Sequence, residues 1–142
     1  MMTIKEKEDE LVEQFADIDD WMDRYAYIID LGNALEPLDE SLKTPDRLIE
    51  GCQSRVWLDA ELTPEGTVVY RADSDAIIVK GIISMLVDVL SGHKPDEILA
   101  DDLSFIQRIG LAEHLSPTRS NGLVAMIKQM RAYALAFKAR TA

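Results

Sequence analysis

The sequence predicts an α+β fold, a single domain in which a small antiparallel β-sheet packs against several α-helices. Three observations carry this expectation. Apolar residues alternate at Val56, Leu58, Ala60 and Leu62 and again at Val68, Tyr70 and Ala72, the period of half-buried strands, with turn-forming Thr63-Pro64-Glu65-Gly66 between them. The run 76–90 is almost wholly apolar and, at fifteen residues, too long for a strand. Leu123, Met126, Ile127, Met130, Tyr133, Ala134 and Phe137 recur at the i, i+3, i+4, i+7 spacing of a helix face. Two strands grouped between runs of helices give the α+β class.

The elements follow in order. Residues 4–15 predict a first helix with Leu11, Val12 and Phe15 on one side. Asp19 or Asp20 caps a second, in which Trp21, Tyr25, Ile28, Ile29 and Leu35 share a face, Gly32 lies near the end and Glu36-Pro37 stops it. Residues 45–51 lead to the hairpin 56–72. The apolar run 76–90 then reads as a central helix packed on the sheet, capped by Asp73 or Ser74 and ended by Gly92. Pro95-Asp96-Glu97 forms a helix first turn, and Leu103, Phe105, Ile106 and Ile109 before Gly110 make another short helix. Ser120 or Asn121 caps the last helix, with 116–122 read as loop and cap. That helix's apolar stripe is core.

Composition limits the function. The 142 residues, 47% of them hydrophobic, can bury one core without staples. A net charge of −11 argues against nucleic-acid binding, which needs an excess of lysine and arginine. Residues 1–40 carry 13 acidic and 3 basic residues, whereas 119–142 carry 5 basic and no acidic ones. Either the two ends pack together or solvate opposite helices, or the surface is polarised to steer a protein partner. No apolar leader marks the N-terminus and the longest apolar stretch is interrupted by Lys80, Ser84 and Asp88, so no membrane segment is expected. A single cysteine excludes an intrachain disulfide, a CxxC pair and a cysteine-built zinc site, and fits a reducing, cytoplasmic setting.

That cysteine, Cys52, is the strongest candidate for chemistry. Gly51 before it permits a sharp turn that presents the thiol at a loop tip. Backbone N–H groups and a guanidinium, Arg55 or Arg119, would favour the reactive thiolate. A buried structural cysteine is the plainer reading, which the polar, glycine-marked run Gly51-Cys52-Gln53-Ser54 disfavours. Asp73-Ser74-Asp75-Ala76 reads at its simplest as a helix cap. His114 is a candidate general base to Cys52, and His93 complements a helix C-terminus.

Three runs together are specific. Gly51-Cys52-Gln53-Ser54 with Val56-Trp57, Asp73-Ser74-Asp75-Ala76 with Ile78-Val79-Lys80-Gly81, and His114-Leu115-Ser116-Pro117-Thr118-Arg119 with Asn121-Gly122-Leu123 resemble, in order and spacing, the SufE family of sulfur-acceptor proteins. Arg24-Tyr25 through Leu31-Gly32 extends the resemblance, which runs from about Trp21 to the last helix. Thr118 stands where the family more often has serine, and the hairpin tip is the chain's own.

The resemblance implies a SufE/IscU-like fold and one sulfur-acceptor domain over 1–142. Cys52 would accept persulfide sulfur from a PLP-dependent cysteine desulfurase, of SufS type or a paralogue, and stimulate that enzyme. It would then pass the sulfur to a SufBCD-type iron–sulfur scaffold. Gly51, Gln53, Ser54, Asp75 and Arg119 are carried over as supporting residues. No cofactor or metal is expected in the chain itself, and a homodimer is left open. A lone thiol suits a carrier, because no second cysteine can discharge the persulfide into an intrachain disulfide. It does not suit a scaffold, which needs several thiolate ligands. The rival classes are a hydrolase using Cys52 and His114, which lacks an evident third residue, and a binding module without chemistry.

Overall fold

The computed structural model describes residues 2–141; Met1 and Ala142 of the expected 1–142 domain lie outside the described residues. Helix α1 spans Ile4–Ala16 and opens with a capping box in which Thr3 and Glu6 satisfy each other's backbone N–H groups. Helix α2 spans Trp21–Ala34 with Asp20 as its cap, accepting the Met22 N–H at 3.0 Å. Two 3₁₀ turns, Glu40–Leu42 and Pro45–Arg47, lead to strands β1 (Val56–Leu62) and β2 (Val68–Ser74). Helices α3 (Ile77–Leu90), α4 (Pro95–Ala100) and α5 (Phe105–Ile109), a 3₁₀ turn at Ala112–His114 and the long helix α6 (Pro117–Thr141) complete the chain.

The expected α+β class holds. β1 and β2 form a two-stranded antiparallel sheet in register from Val56↔Ser74 to Leu62↔Val68. Isolated bridges extend it at Leu48↔Trp57 and Val68↔His93. The buried face of the sheet, Val56, Leu58, Val68, Tyr70 and Ala72, packs on α3, whose Ile82, Ile83, Leu86, Val89 and Leu90 are nearly inaccessible. A lone hairpin is marginal in water, so this helix is what makes the sheet stable. The α6 stripe lies in the same core through Leu123, Met126, Met130 and Ala134. Tyr70 joins the layers, its hydroxyl donating to the Met130 carbonyl at 2.6 Å.

Helices α2 and α3 cross at closest range where Gly32 meets Gly81. A Cβ on Gly81 would collide with the Ile28 carbonyl oxygen, and one on Gly32 would stand 2.7 Å from the Gly81 nitrogen. Arg24 fixes the other end of α2 by donating to the carbonyls of Phe15, Ile18 and Ile109. This gives the Arg24-Tyr25 run a structural task.

Two expectations change. Helix α6 begins at Pro117, not after a cap at Ser120 or Asn121. Proline pre-sets the first helical dihedral, and the Ser116 hydroxyl accepts the Arg119 N–H at 3.3 Å, so run 116–122 is cap and first turns instead of loop. At α3 the cap position is Ala76, without a side-chain bond. Ser74 sits two residues before it and accepts the Ala76 N–H at 3.2 Å, while Asp73 turns inward. Of the unevenly spread charges, Lys7 and Asp9 of α1 pair with Asp88 and Arg108, and Lys138 of α6 pairs with Asp96.

Candidate functional site

Gly51 has a φ of +92°, a left-handed conformation that turns the chain sharply before Cys52. The loop is pinned on both sides. Before it, the Ile49 N–H donates to the Val56 carbonyl at 2.9 Å. After it, the Arg55 N–H donates to Asp75 Oδ1 at 3.1 Å, and the Ser74 hydroxyl donates to the Arg55 carbonyl at 2.8 Å. Between these anchors the loop leans on α6, and a Cβ on Gly51 would stand 3.2 Å from Cβ of Ala125.

The thiol is half-buried in a cavity of about 380 Å³, not at a bare tip. Val79 and Ile82 of α3 and Gly122 and Met126 of α6 supply its inner wall. Gln53, Ser54, Ser116, Thr118 and Arg119 supply its polar mouth. The thiol donates a long hydrogen bond to the Gly122 carbonyl, with Sγ to oxygen 3.6 Å. A Cβ at Gly122 would lie 3.6 Å from Sγ, an ordinary van der Waals contact, so the thiol packs directly on the first turns of α6.

Burial pushes the Cys52 thiol above its ordinary value, which corrects the expected thiolate stabilisation by Arg55 or Arg119. In this conformation the sulfur is a protected thiol. Arg119, in the first turn of α6, borders the mouth and makes no side-chain hydrogen bond or ion pair among the described residues. Its charge therefore remains available to an anionic sulfur species that is less deeply placed than the resting thiol.

The remaining candidates fall in different places. Gln53 and Ser54 line the cavity, while Gly51 borders the adjoining groove of Arg47, Leu48, Val124 and Lys128. Asp75 lies outside the cavity and holds the loop's foot. His114 is not in the cavity wall: its Nδ1 contacts the Gly110 carbonyl at 3.0 Å and its ring stacks on Trp21, centroids 3.8 Å apart. His93 is buried, and its backbone carbonyl accepts the Val68 N–H at 2.8 Å, lengthening the sheet.

Two features escaped the sequence reading. The apolar wall of Val79, Ile82 and Met126 belongs to helical stripes that look like plain core until α3 and α6 converge on the cysteine loop. Asp73, 5% exposed, sits beneath the neighbouring segment between Lys43 and Lys80, each 3.4 Å away. Burial raises its pKa, but the Ser74 and Leu38 N–H groups and the two lysines outweigh that and hold it below the usual aspartate value. The spacing of Asp73 and Lys80 across a strand–helix junction was the signal available for it.

Residues 9–134 match the family model described as SufE, the Fe-S metabolism associated domain, which defines a protein of iron–sulfur metabolism. The chain belongs to the SufE family. The match starts earlier than the resemblance read from about Trp21. The fold is similar to a solution structure described as a hypothetical protein from Thermus thermophilus. That likeness has a TM-score of 0.76 and 22% identity, over 96% of this chain and 97% of that one. Among the described residues, no helix is long and apolar enough to cross a membrane.

Proposed function

We propose that the chain is one sulfur-carrier domain that takes persulfide sulfur from a PLP-dependent cysteine desulfurase onto Cys52. It stimulates that enzyme and delivers the sulfur to an iron–sulfur scaffold. The observation that carries this reading is the placement of the only thiol in a partly apolar cavity, on a loop with a left-handed glycine hinge, in a SufE-family chain. Such a cavity shields a cargo sulfur from water-borne thiols, and such a loop can present it on docking.

In the transfer, the Cys52 thiolate attacks the outer sulfur of the donor's persulfide. The donor's S–S bond breaks, a new S–S bond forms on Cys52, and the donor cysteine leaves as a thiolate that takes up a proton. No net oxidation is required. Since burial disfavours the Cys52 thiolate at rest, docking must bring the thiol out of the cavity before it reacts. Arg119 at the mouth then stands where it can stabilise the persulfide anion, and Gln53 and Ser54 can orient the loop. The position of His114, tied to Gly110 and stacked on Trp21, favours no hydrolase dyad.

Cys52→Ala separates the readings. It is expected to bind the desulfurase with unchanged affinity and to lose sulfur delivery and stimulation. A variant that still delivers sulfur to the scaffold at the native rate contradicts the carrier role.

A further inference from the structure

Far from the cysteine in sequence, α1 brings a carboxylate into the interior. Glu8 is 0% exposed. Its Oε2 accepts the Phe105 N–H at 3.0 Å and the Ser104 hydroxyl at 3.5 Å. Its Oε1 is buried with no hydrogen-bond donor among the described residues. An orphaned carboxylate oxygen in the interior is costly unless something positive reaches it, because the desolvation of a charged group goes uncompensated.

What faces Glu8 is more negative charge. Its carboxyl is in hydrogen-bonding range of the Asp101 carboxyl, and one oxygen from each of Glu8, Asp101 and Asp102 lies within 4.8 Å of the others. Asp101 Oδ2 accepts the Leu103 N–H at 2.9 Å and Asp102 Oδ1 accepts the Ser104 N–H at 3.1 Å, which leaves each aspartate a second oxygen for another ligand. Two cations are near and neither closes the cluster. The Lys5 ammonium donates to the Ser104 hydroxyl at 3.3 Å, and Arg131 donates to the Asp101 main-chain carbonyl at 2.8 Å.

We propose that Glu8, Asp101 and Asp102 bind one hard divalent cation of calcium size. An all-carboxylate set selects calcium, magnesium or manganese over softer metals. The three carboxylates lie within reach of one ion, and calcium, with its longer bonds and flexible coordination, accepts such an irregular set, whereas magnesium demands near-ideal octahedral geometry. Asp101 is half-buried and Asp102 exposed, so solvent can complete the coordination and the ion has a way in. The bound ion would staple α1 to the segment between α4 and α5, at a place the Cys52 chemistry does not use.

Calorimetric titration of CaCl2 into the chelator-treated full chain, at mildly alkaline pH, tests this. One site with a Kd on the order of 10⁻⁴–10⁻³ M is expected, tighter than for MgCl2. Glu8→Gln and Asp101→Asn should each weaken it by about tenfold or more while keeping a native circular dichroism spectrum. Calcium should raise the melting temperature of the wild type and not of Glu8→Gln. Absence of binding up to ~10 mM, or equal binding by wild type and both variants, overturns the proposal. Absence of binding together with a Glu8→Gln variant that melts above the wild type would assign the cluster to a shared proton, which also overturns it.

Discussion

Asp75 grips Arg55 twice at the foot of the cysteine loop: Oδ1 of Asp75 accepts the Arg55 N–H at 3.1 Å, and the Asp75 N–H donates to the Arg55 carbonyl at 3.3 Å. Only the first bond uses the side chain. Asp75→Ala therefore unfastens one strand of the latch and leaves β2 and α3 intact. The expected result is alkylation of Cys52 several-fold faster than in the wild type, with global stability lowered by about 1 kcal/mol or less. Timed iodoacetamide labelling beside a urea melt measures both, and an unchanged labelling rate would mean that Asp75 does not restrain the loop.

At Gly81 the prediction concerns the scaffold. The α2–α3 crossing leaves no room for a Cβ, and what it would strike first is the Ile28 backbone, which cannot rotate away. Gly81→Ala should cost about 3 kcal/mol, the upper end for overpacking. Gly66→Ala makes the contrast, since nothing lies within 4 Å of its Cβ position and only its φ of +85° resists the change. Urea denaturation should rank Gly81→Ala well below Gly66→Ala; equal losses would contradict the tight crossing.

The pH dependence of Cys52 follows from its burial. Its thiol loses a proton less readily in the fold than in the unfolded chain, so the neutral thiol stabilises the fold. That contribution is complete below the unfolded cysteine value, about 8.5, and is lost as pH rises through the higher folded value. Labelling rates should accordingly rise with pH along a curve whose midpoint lies above about 8.5. Cys52→Ser should remove the corresponding alkaline loss of stability. A midpoint below that of free cysteine would show a thiolate stabilised at rest, against the cavity's burial.

Much of this architecture was legible because periodicity reports burial directly. The two-residue alternation in 56–62 and 68–72 and the helical stripe from Leu123 to Phe137 each mark a face that the core covers. Capping was less legible. Several Ser, Asp and Asn residues compete within a few positions, and at α6 it was Pro117 that decided the start. At the cysteine, the glycine hinge could be read from Gly51 alone, whereas the cavity could not. It exists only where α3 and α6, distant in the chain at Ile82 and Met126, converge on the loop. Glu8 shows the same limit: nothing in an acidic amphipathic helix distinguishes the one carboxylate that tertiary packing turns inward against Asp101.

The central claim is that Cys52 receives a sulfur atom from another protein. Intact-mass measurement after incubation with an active PLP-dependent cysteine desulfurase and free cysteine tests it most directly. The account predicts one added sulfur, removed by reductant, mapped to Cys52 and missing in Cys52→Ala. An unmodified chain recovered from a reaction in which the desulfurase has turned over would contradict it.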